Sequence, residues 1–191
     1  MAEQPLDLGR LLDRLAGPEP VPAGGSLAAA AVAAAAALLV KVGLKSREHW
    51  PQAEAYAARA VLLRSAAEIT VEADEAAYKA LLEAWRQARG LEDAARERLV
   101  TPARDRTIDA PLSVARAGAE VTELAVALAI EGNPRLRRDA LMAGTIAAAA
   151  ARGAADLVAA NVPRADDTRA REARALARAA TARVARADAA R

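Results

Sequence analysis

The segment Pro18-Glu-Pro-Val-Pro-Ala-Gly-Gly-Ser26, followed by the apolar run Leu27 to Val40, decides the fold of this chain. Prolines at alternate positions hold the backbone extended and exclude a helix before the glycines. We expect Gly24 and Gly25 to form a tight turn with access to positive φ, and Ser26 to be the N-cap of an apolar helix. Free N–H groups and a partial positive charge at that helix end favour a carboxylate, a phosphate or the polar edge of a heterocycle.

The composition indicates a helical protein whose core is built from small residues. The chain has 191 residues, with alanine as the dominant type, two Trp, two Tyr and no Phe or Cys. This length gives one domain with a substantial buried core. Alanine strongly favours helix but fills space poorly, so the helices must approach one another closely to exclude water. We therefore predict an all-α fold.

The composition also excludes several classes of function. Without cysteine, the chain has no disulfide, no thiolate nucleophile and no Cys-ligated zinc site. The single histidine, His49, excludes a His-rich metal site within one chain, and we expect no metal. The formal net charge is only +2, which gives no reason to expect nucleic acid as a partner.

Neither the N-terminus nor the apolar run predicts export or membrane insertion. The first residues, Met-Ala-Glu-Gln-Pro-Leu-Asp, carry acid where a signal peptide needs base, so we expect a cytoplasmic protein. The run from Leu27 to Val40 is uncharged for 14 residues, whereas a membrane span needs roughly 20. It therefore predicts a buried core helix, with no membrane partner.

Hydrophobic periodicity, prolines and glycines divide the chain into helices. They predict a single domain over residues 1–191, a bundle of about five to seven helices with long central alanine-rich members. A polar loop around Pro102 is expected before residue 111. The predicted helices are Leu6–Leu15, Leu27–Lys45, Pro51–Arg89, Glu92–Leu99, Pro111–Glu131, Leu136–Ala160 and a polar C-terminal helix within 165–191. Several are apolar on nearly all sides, so another subunit is expected to cover part of their surface.

Asp74 is the acid with the most informative surroundings. Its helical neighbours at three, four and seven residues are mostly small or apolar, whereas Glu68, Glu72 and Glu75 are expected on a solvated face. A carboxylate on an apolar stripe is costly unless it is partnered or neutral, so its pKa is open to tuning. From the pattern alone, Asp74 fits a structural acid bonded to a helix end or an Arg as well as it fits a functional carboxylate.

Structural roles also explain three other charged residues, Asp139, Lys41 and Lys45. Asp139 lies among apolar residues, but its place in a first helical turn is also good capping chemistry. Lys41 and Lys45 lie one turn apart near the C-terminus of the central helix, where a cation is favourable and its stem covers apolar surface. These positions alone do not decide between structure and function.

Several segments, taken in order, resemble a known family. They are Leu11–Ala30, Ala73-Asp74-Glu75-Ala76-Ala77-Tyr78, Ala110-Pro111-Leu112, Gly132-Asn-Pro-Arg-Leu-Arg-Arg-Asp139-Ala-Leu-Met-Ala-Gly144 and Ala160-Asn161-Val162. Across most of residues 8–162 they resemble the cyclodeaminase/cyclohydrolase family, which includes the C-terminal half of formiminotransferase-cyclodeaminase and stand-alone methenyltetrahydrofolate cyclohydrolases. The usual opening has three glycines before the serine, and Ala23 stands in place of the first one here.

The resemblance implies an all-α homodimer that acts on the one-carbon unit bridging N5 and N10 of tetrahydrofolate. A cyclodeaminase closes 5-formiminotetrahydrofolate to the 5,10-methenyl form and releases ammonia, whereas a cyclohydrolase opens the methenyl bridge with water. With this family in mind, we predict Asp74 and Asp139 as catalytic carboxylates that need no metal. The predicted substrate-binding residues are Pro22, Gly24, Gly25, Ser26, Lys41, Lys45, Asn133 and Asn161, with the lysines contacting the glutamate tail of the folate.

Two further interpretations stay open at this point. Ala23 and the small number of lysines would permit a non-catalytic, folate-binding or purely structural helical dimer of the same fold. The arginine-rich C-terminal helix would permit a nucleic-acid-associated protein, although its positive charge is interspersed with acids such as Glu172 and Asp188.

Overall fold

The computed structural model describes residues 7–190, and over that range it contains helices and no strand. The predicted all-α fold is confirmed. The elements are α1 (Leu8–Leu15), α2 (Gly24–Leu44), α3 (Ala53–Gln87), α4 (Asp93–Glu131), a 3-10 turn (Pro134–Leu136), α5 (Arg137–Asn161) and α6 (Thr168–Ala189).

Helix α2 lies at the centre of the bundle. It packs against α3, α4 and α5, while α6 covers α4 and α5 from the other side. The core is built largely from alanines without accessible surface, among them Ala29 and Ala36. Glycine lets the helices approach closely, because a Cβ at Gly43 would lie 2.8 Å from the Cβ of Ala57. The close packing expected from the alanine content is therefore present.

The prediction for residues 91–110 was wrong. Instead of a short helix and a polar loop, α4 runs without interruption from Asp93 to Glu131 through Pro102 and Pro111. An interior proline removes one helical hydrogen bond and crowds the carbonyl four residues before it. Here Val100 and Ile108 are buried against neighbouring helices, so tertiary packing outweighs the local cost of the prolines.

The start of α2 also differs from the prediction. The helix begins at Gly24, its N-cap is Ala23, and Ser26 is a fully buried residue of the first turn rather than the cap. Gly24 and Gly25 therefore have helical geometry instead of a turn with positive φ. Among the described residues, the glycine with positive φ is Gly90, which follows the end of α3. Alanine can take the N-cap position because Asp74, from another helix, accepts hydrogen bonds from Ser26.

Smaller differences concern the ends of the other helices. Pro51 lies in the turn before α3, which begins at Ala53. The predicted helix ends at Leu6 and Arg191 lie outside the described residues. The polar C-terminal helix is present as α6, whose buried positions are alanines and one valine.

Within the described residues 7–190, two helical segments are long and apolar enough, by length and composition alone, to cross a membrane. They are Gly24–Leu44 and Pro134–Asn161, and 56% of the most apolar window of each is buried inside the fold. A core helix satisfies the same criterion, and both segments pack against other helices of the bundle.

Candidate active site

A carboxylate from α3 lies at the N-terminus of α2. The hydroxyl of Ser26 donates a hydrogen bond of 2.9 Å to Oδ2 of Asp74, and the backbone N–H of Ser26 also donates to this carboxylate. The first three residues of α2, Gly24 to Ser26, have no intrahelical acceptor for their N–H groups. Asp74 therefore supplies from α3 the cap that Ala23 lacks, and the positive end of the helix dipole favours its charged form.

Glycine at position 25 is required by the close approach of Asp74. A Cβ built on Gly25 would lie 2.2 Å from Oδ1 of Asp74, a distance that no real contact allows. At Gly24 the nearest atom to such a Cβ would be a methyl carbon of Leu157 at 3.8 Å, which is ordinary contact. The two adjacent glycines therefore have different roles, and only Gly25 makes room for the carboxylate.

Burial controls the protonation of Asp74. The side chain is half-buried, and the loss of solvation raises its pKa above the ordinary value for an aspartate. The hydrogen bonds from Ser26 oppose this shift, while the negative charge of neighbouring Glu75 adds to it. The net result is a raised pKa, which makes Asp74 a better proton acceptor than an exposed aspartate.

The carboxylate faces a cavity of about 210 Å³. Helices α2 to α5 and the proline-rich segment all contribute to its wall. The lining residues are Pro20, Val21, Ala23, Gly24, Gly25, Asp74, Tyr78, Thr107, Pro111, Leu157 and Asn161. Asp74 is the one charged group among them, so the cavity combines an apolar wall with a single acid.

Pro111 and Asn161 both line this cavity. Proline has no N–H, so Pro111 leaves the carbonyl of Thr107, four residues earlier, without its helical partner. The side-chain amide of Asn161 donates a hydrogen bond of 2.8 Å to this carbonyl. The end of α5 is thereby tied to the middle of α4 beside the cavity.

Comparison with known proteins agrees with this architecture. The family model for formiminotransferase-cyclodeaminase matches residues 7–180, which is most of the chain. The chain belongs to this family. Its membership supports a function in folate one-carbon chemistry, as the sequence resemblance implied.

The fold of this family member is also found in a solved structure. The chain is similar to formiminotetrahydrofolate cyclodeaminase from Thermotoga maritima, with a TM-score of 0.80, 21% sequence identity and 95% coverage of each chain. At that identity the likeness concerns the fold. A search of curated proteins finds no match.

Half of the predicted site residues lie together at the cavity beside Asp74. Gly24, Gly25, Asp74 and Asn161 line the cavity, and Ser26 bonds to Asp74. Pro22 is buried, and its neighbours Pro20 and Val21 line the cavity instead.

The other predicted residues lie at the opposite end of the bundle. Lys41 and Lys45 are at the C-terminal end of α2, about 25 Å or more along the helix from Gly24. Asn133 joins them there, since its Nδ2 donates to the carbonyl of Lys45 at 3.2 Å. Asp139 is exposed in the first turn of α5, whereas Asn161 is its last residue. Within one chain, the predicted site residues therefore form two separate groups, one at each end of the bundle.

A buried acid next to Asp74 was missed in the sequence. Glu75, expected on a solvated face, is only 7% exposed and forms an ion pair with Arg14 of α1, while Nζ of Lys79 lies 3.8 Å from Oε2. The expectation was wrong because a partner 61 residues away in the sequence covers the side chain. This pair anchors α1, which leads directly into the segment that walls the cavity.

A second cavity and the distribution of possible metal ligands were compared with the site at Asp74. A larger cavity of about 420 Å³ between α5 and α6 is lined by alanines, a threonine, an aspartate and three arginines, and contains none of the predicted site residues. Within residues 7–190, no group of three or more His, Cys, Asp or Glu side chains is arranged as a metal site.

Proposed function

We propose that this protein is a formiminotetrahydrofolate cyclodeaminase in which Asp74 moves the proton. The observation that carries the proposal is a half-buried carboxylate with a raised pKa, facing a cavity at a helix N-terminus. Family membership and the fold of the Thermotoga maritima enzyme support the choice of reaction.

The proposed reaction needs one proton to move between two nitrogens on the same carbon. N10 of the substrate attacks the carbon of the protonated formimino group, and this carbon becomes tetrahedral. The ionised Asp74 takes the proton from N10 and then delivers it to the amino nitrogen. That nitrogen leaves as ammonia with the electrons of the breaking C–N bond, and the 5,10-methenyl cation forms. A single carboxylate can act first as base and then as acid in this way.

The surroundings of Asp74 suit these two steps. A raised pKa brings the carboxylate closer to neutral pH, where it can both accept and release a proton. Its negative charge also stabilises the cationic amidine of the substrate and the methenyl product, because the apolar wall weakens screening by water. Ser26 holds the carboxylate in place through its hydroxyl.

The size of the cavity limits which part of the folate can enter. Pockets that enclose a whole drug-sized ligand have volumes of roughly 300–1,000 Å³. The cavity beside Asp74, at about 210 Å³, suits a ring system with its one-carbon unit. The aminobenzoyl and glutamate portions would extend beyond it.

The test follows the absorbance of 5,10-methenyltetrahydrofolate together with the release of ammonia. Incubation with 5-formiminotetrahydrofolate is expected to give both products in equal amounts. Hydrolysis of the methenyl compound without any reaction of the formimino compound would instead identify a cyclohydrolase. A folded protein that binds 5-formyltetrahydrofolate in calorimetry and catalyses neither reaction would identify a non-catalytic folate-binding protein and overturn the proposal.

A further inference from the structure

A short segment connects α1 to α2 and forms part of the wall of the candidate cavity. We call this segment, residues 16–23, the strap. Pro20 and Val21 of the strap line the cavity, and both also line a second pocket of about 260 Å³ that contains Arg14 and Lys79. The strap is therefore the wall that the candidate cavity shares with this pocket of cations.

Two consecutive residues of α3 hold the two ends of the strap. After the strap, Asp74 accepts hydrogen bonds from Ser26 in the first turn of α2. Before the strap, Glu75 accepts a hydrogen bond from Nη2 of Arg14 in the last turn of α1. The carboxylate that faces the cavity and the carboxylate that holds α1 are therefore neighbours on one helix.

Little else fixes α1 to the bundle. Within the described residues, α1 packs extensively against none of the other helices, and Leu11 is its one buried residue. Glu75 is only 7% exposed, so its charge has lost most of its solvation and depends on a cationic partner. Nζ of Lys79, at 3.8 Å, is too far away for a hydrogen bond. Loss of Arg14 would therefore leave a buried acid without its donor and release the first end of the strap.

We infer that Arg14 and Glu75 are a positioning pair for Asp74, and this step rests on the proposed function. Their ion pair keeps the strap in place as a wall of the cavity. It also prevents a second negative charge from standing unneutralised beside the reacting carboxylate. The first effect holds the ring of the substrate, and the second keeps Asp74 ionised until N10 gives up its proton.

Few titratable groups surround Asp74, so the effect of the pair on it is measurable. They are Glu75, Tyr78 and Lys79 on α3, Arg14 on α1 and Glu19 in the strap. The parts of α2, α4 and α5 that line the cavity carry no charged side chain. Burial raises the pKa of Asp74 most, and the negative charge of Glu75 adds to this shift. The two members of the pair should therefore change this pKa in opposite directions when each is removed.

The pH dependence of catalysis tests the pair. Arg14→Gln leaves Glu75 charged, so the pKa of Asp74 should rise and the acid limb of kcat/KM should move to higher pH, by about half a unit or more. Glu75→Gln removes the charge, and the same limb should move to lower pH. Both variants break the ion pair, so both should raise KM about threefold to tenfold and leave kcat on the plateau nearly unchanged. Arg14→Lys keeps the cation and should restore most of the limb.

A spin label tests the strap without any folate. The chain contains no cysteine, so Ala16→Cys, at an exposed position where the strap begins, gives a single labelling site. The mobility of the label should increase when Arg14→Gln or Glu75→Gln is added. The matched control is Arg10→Gln, which changes an exposed arginine of α1 that forms no ion pair with the described residues. It should alter neither the label nor the kinetics.

The outcomes separate this inference from the proposed function. Unchanged mobility of the label in both variants would overturn the inference whatever the enzyme assay shows. Acid limbs that move in the same direction, or that do not move, would leave the pair a structural role only and overturn it too. A protein whose label responds as expected, but which neither binds 5-formyltetrahydrofolate nor converts the formimino compound, would instead refute the proposed function. The effect on catalysis would fall with it, and the hold of the pair on the strap would stand.

Discussion

The two ends of α2 are closed in different ways. At the C-terminal end, the hydroxyl of Ser46 donates to the carbonyl of Val42 at 2.8 Å and accepts from the backbone N–H of Asn133 at 2.9 Å. Ser46 is fully buried, and both of its partners are neutral. At the N-terminal end, the partner of Ser26 is the charged carboxylate of Asp74, which also faces a cavity.

This difference distinguishes a structural polar contact from a site that can carry chemistry. Both serines lie near a helix end and both are fully buried, so burial and hydrogen bonding alone do not separate them. A neutral hydroxyl with two fixed partners has no proton to exchange near neutral pH. A carboxylate with a raised pKa and access to a cavity does have one.

The largest expected effect is that of Asp74→Asn, which keeps the shape of the side chain but removes its charge and its ability to accept a proton. We expect turnover to fall by roughly a hundredfold or more, while affinity for 5-formyltetrahydrofolate changes little. The control is Glu72→Gln, which changes an exposed acid on the same helix and should leave turnover intact. An Asp74→Asn protein with a lower melting temperature and unchanged specific activity would show that Asp74, like Ser46, has only a structural role.

A second variant distinguishes the two adjacent glycines. Gly25→Ala places a Cβ within 2.2 Å of Oδ1 of Asp74, so the carboxylate or the helix must shift. Overpacking of this kind costs about 1–3 kcal/mol of unfolding free energy, and the displaced carboxylate should lower turnover as well. Gly24→Ala is the matched control, since its new methyl group meets only a leucine side chain at ordinary distance. Equal melting temperatures for the two variants would contradict the close approach.

A substitution at the C-terminal end of α2 should change the free energy of unfolding and leave turnover unchanged. Ser46→Ala leaves the N–H of Asn133 without its acceptor, which costs about 1–3 kcal/mol when the group is buried. Denaturant unfolding should show this loss. Turnover per folded molecule should match that of the unaltered protein, and a large drop in turnover would place Ser46 in the functional machinery.

The smallest effect concerns pH. Because the folded state raises the pKa of Asp74, it binds the proton of this group more tightly than the unfolded chain does. The resulting contribution to stability is fully present below the ordinary pKa of an aspartate and is lost as pH rises through the raised value. Melting temperatures of Asp74→Asn and of the unaltered protein, compared from about pH 4 upward, should therefore shift in favour of Asn as pH increases. A constant difference would contradict a raised pKa.

Local patterns were sufficient for most of the fold. The alanine-rich run from Leu27 to Val40 predicted the central helix, and the predicted helix end at Glu131 is the end of α4. Residues 91–110 could not be predicted in this way, because prolines are tolerated there only through the burial of Val100 and Ile108 against other helices. Such packing depends on residues distant in sequence, which a local pattern does not contain.

The candidate site shows the same limit. The neighbours of Asp74 on its predicted helix placed it on an apolar stripe, and in the structure its side chain is half-buried. The pairing of Glu75 with Arg14 joins residues 61 positions apart, so its burial had no signal in the local pattern. Thr107 and Leu157 were missed for the same reason, because α4 and α5 bring them to the cavity from distant parts of the chain.

Pro111 has a consequence for what the cavity can recognise. One N–H of the Asn161 Nδ2 atom is donated to the carbonyl that this proline leaves free, which fixes the orientation of the amide and leaves its Oδ1 atom and its second N–H without a partner in that bond. The absence of one backbone N–H in α4 therefore fixes the orientation of a side-chain amide on α5. The amide can therefore offer a ligand one acceptor and one donor side by side, and it would favour a ligand edge that carries an N–H next to a carbonyl or ring nitrogen over an edge that carries acceptors alone.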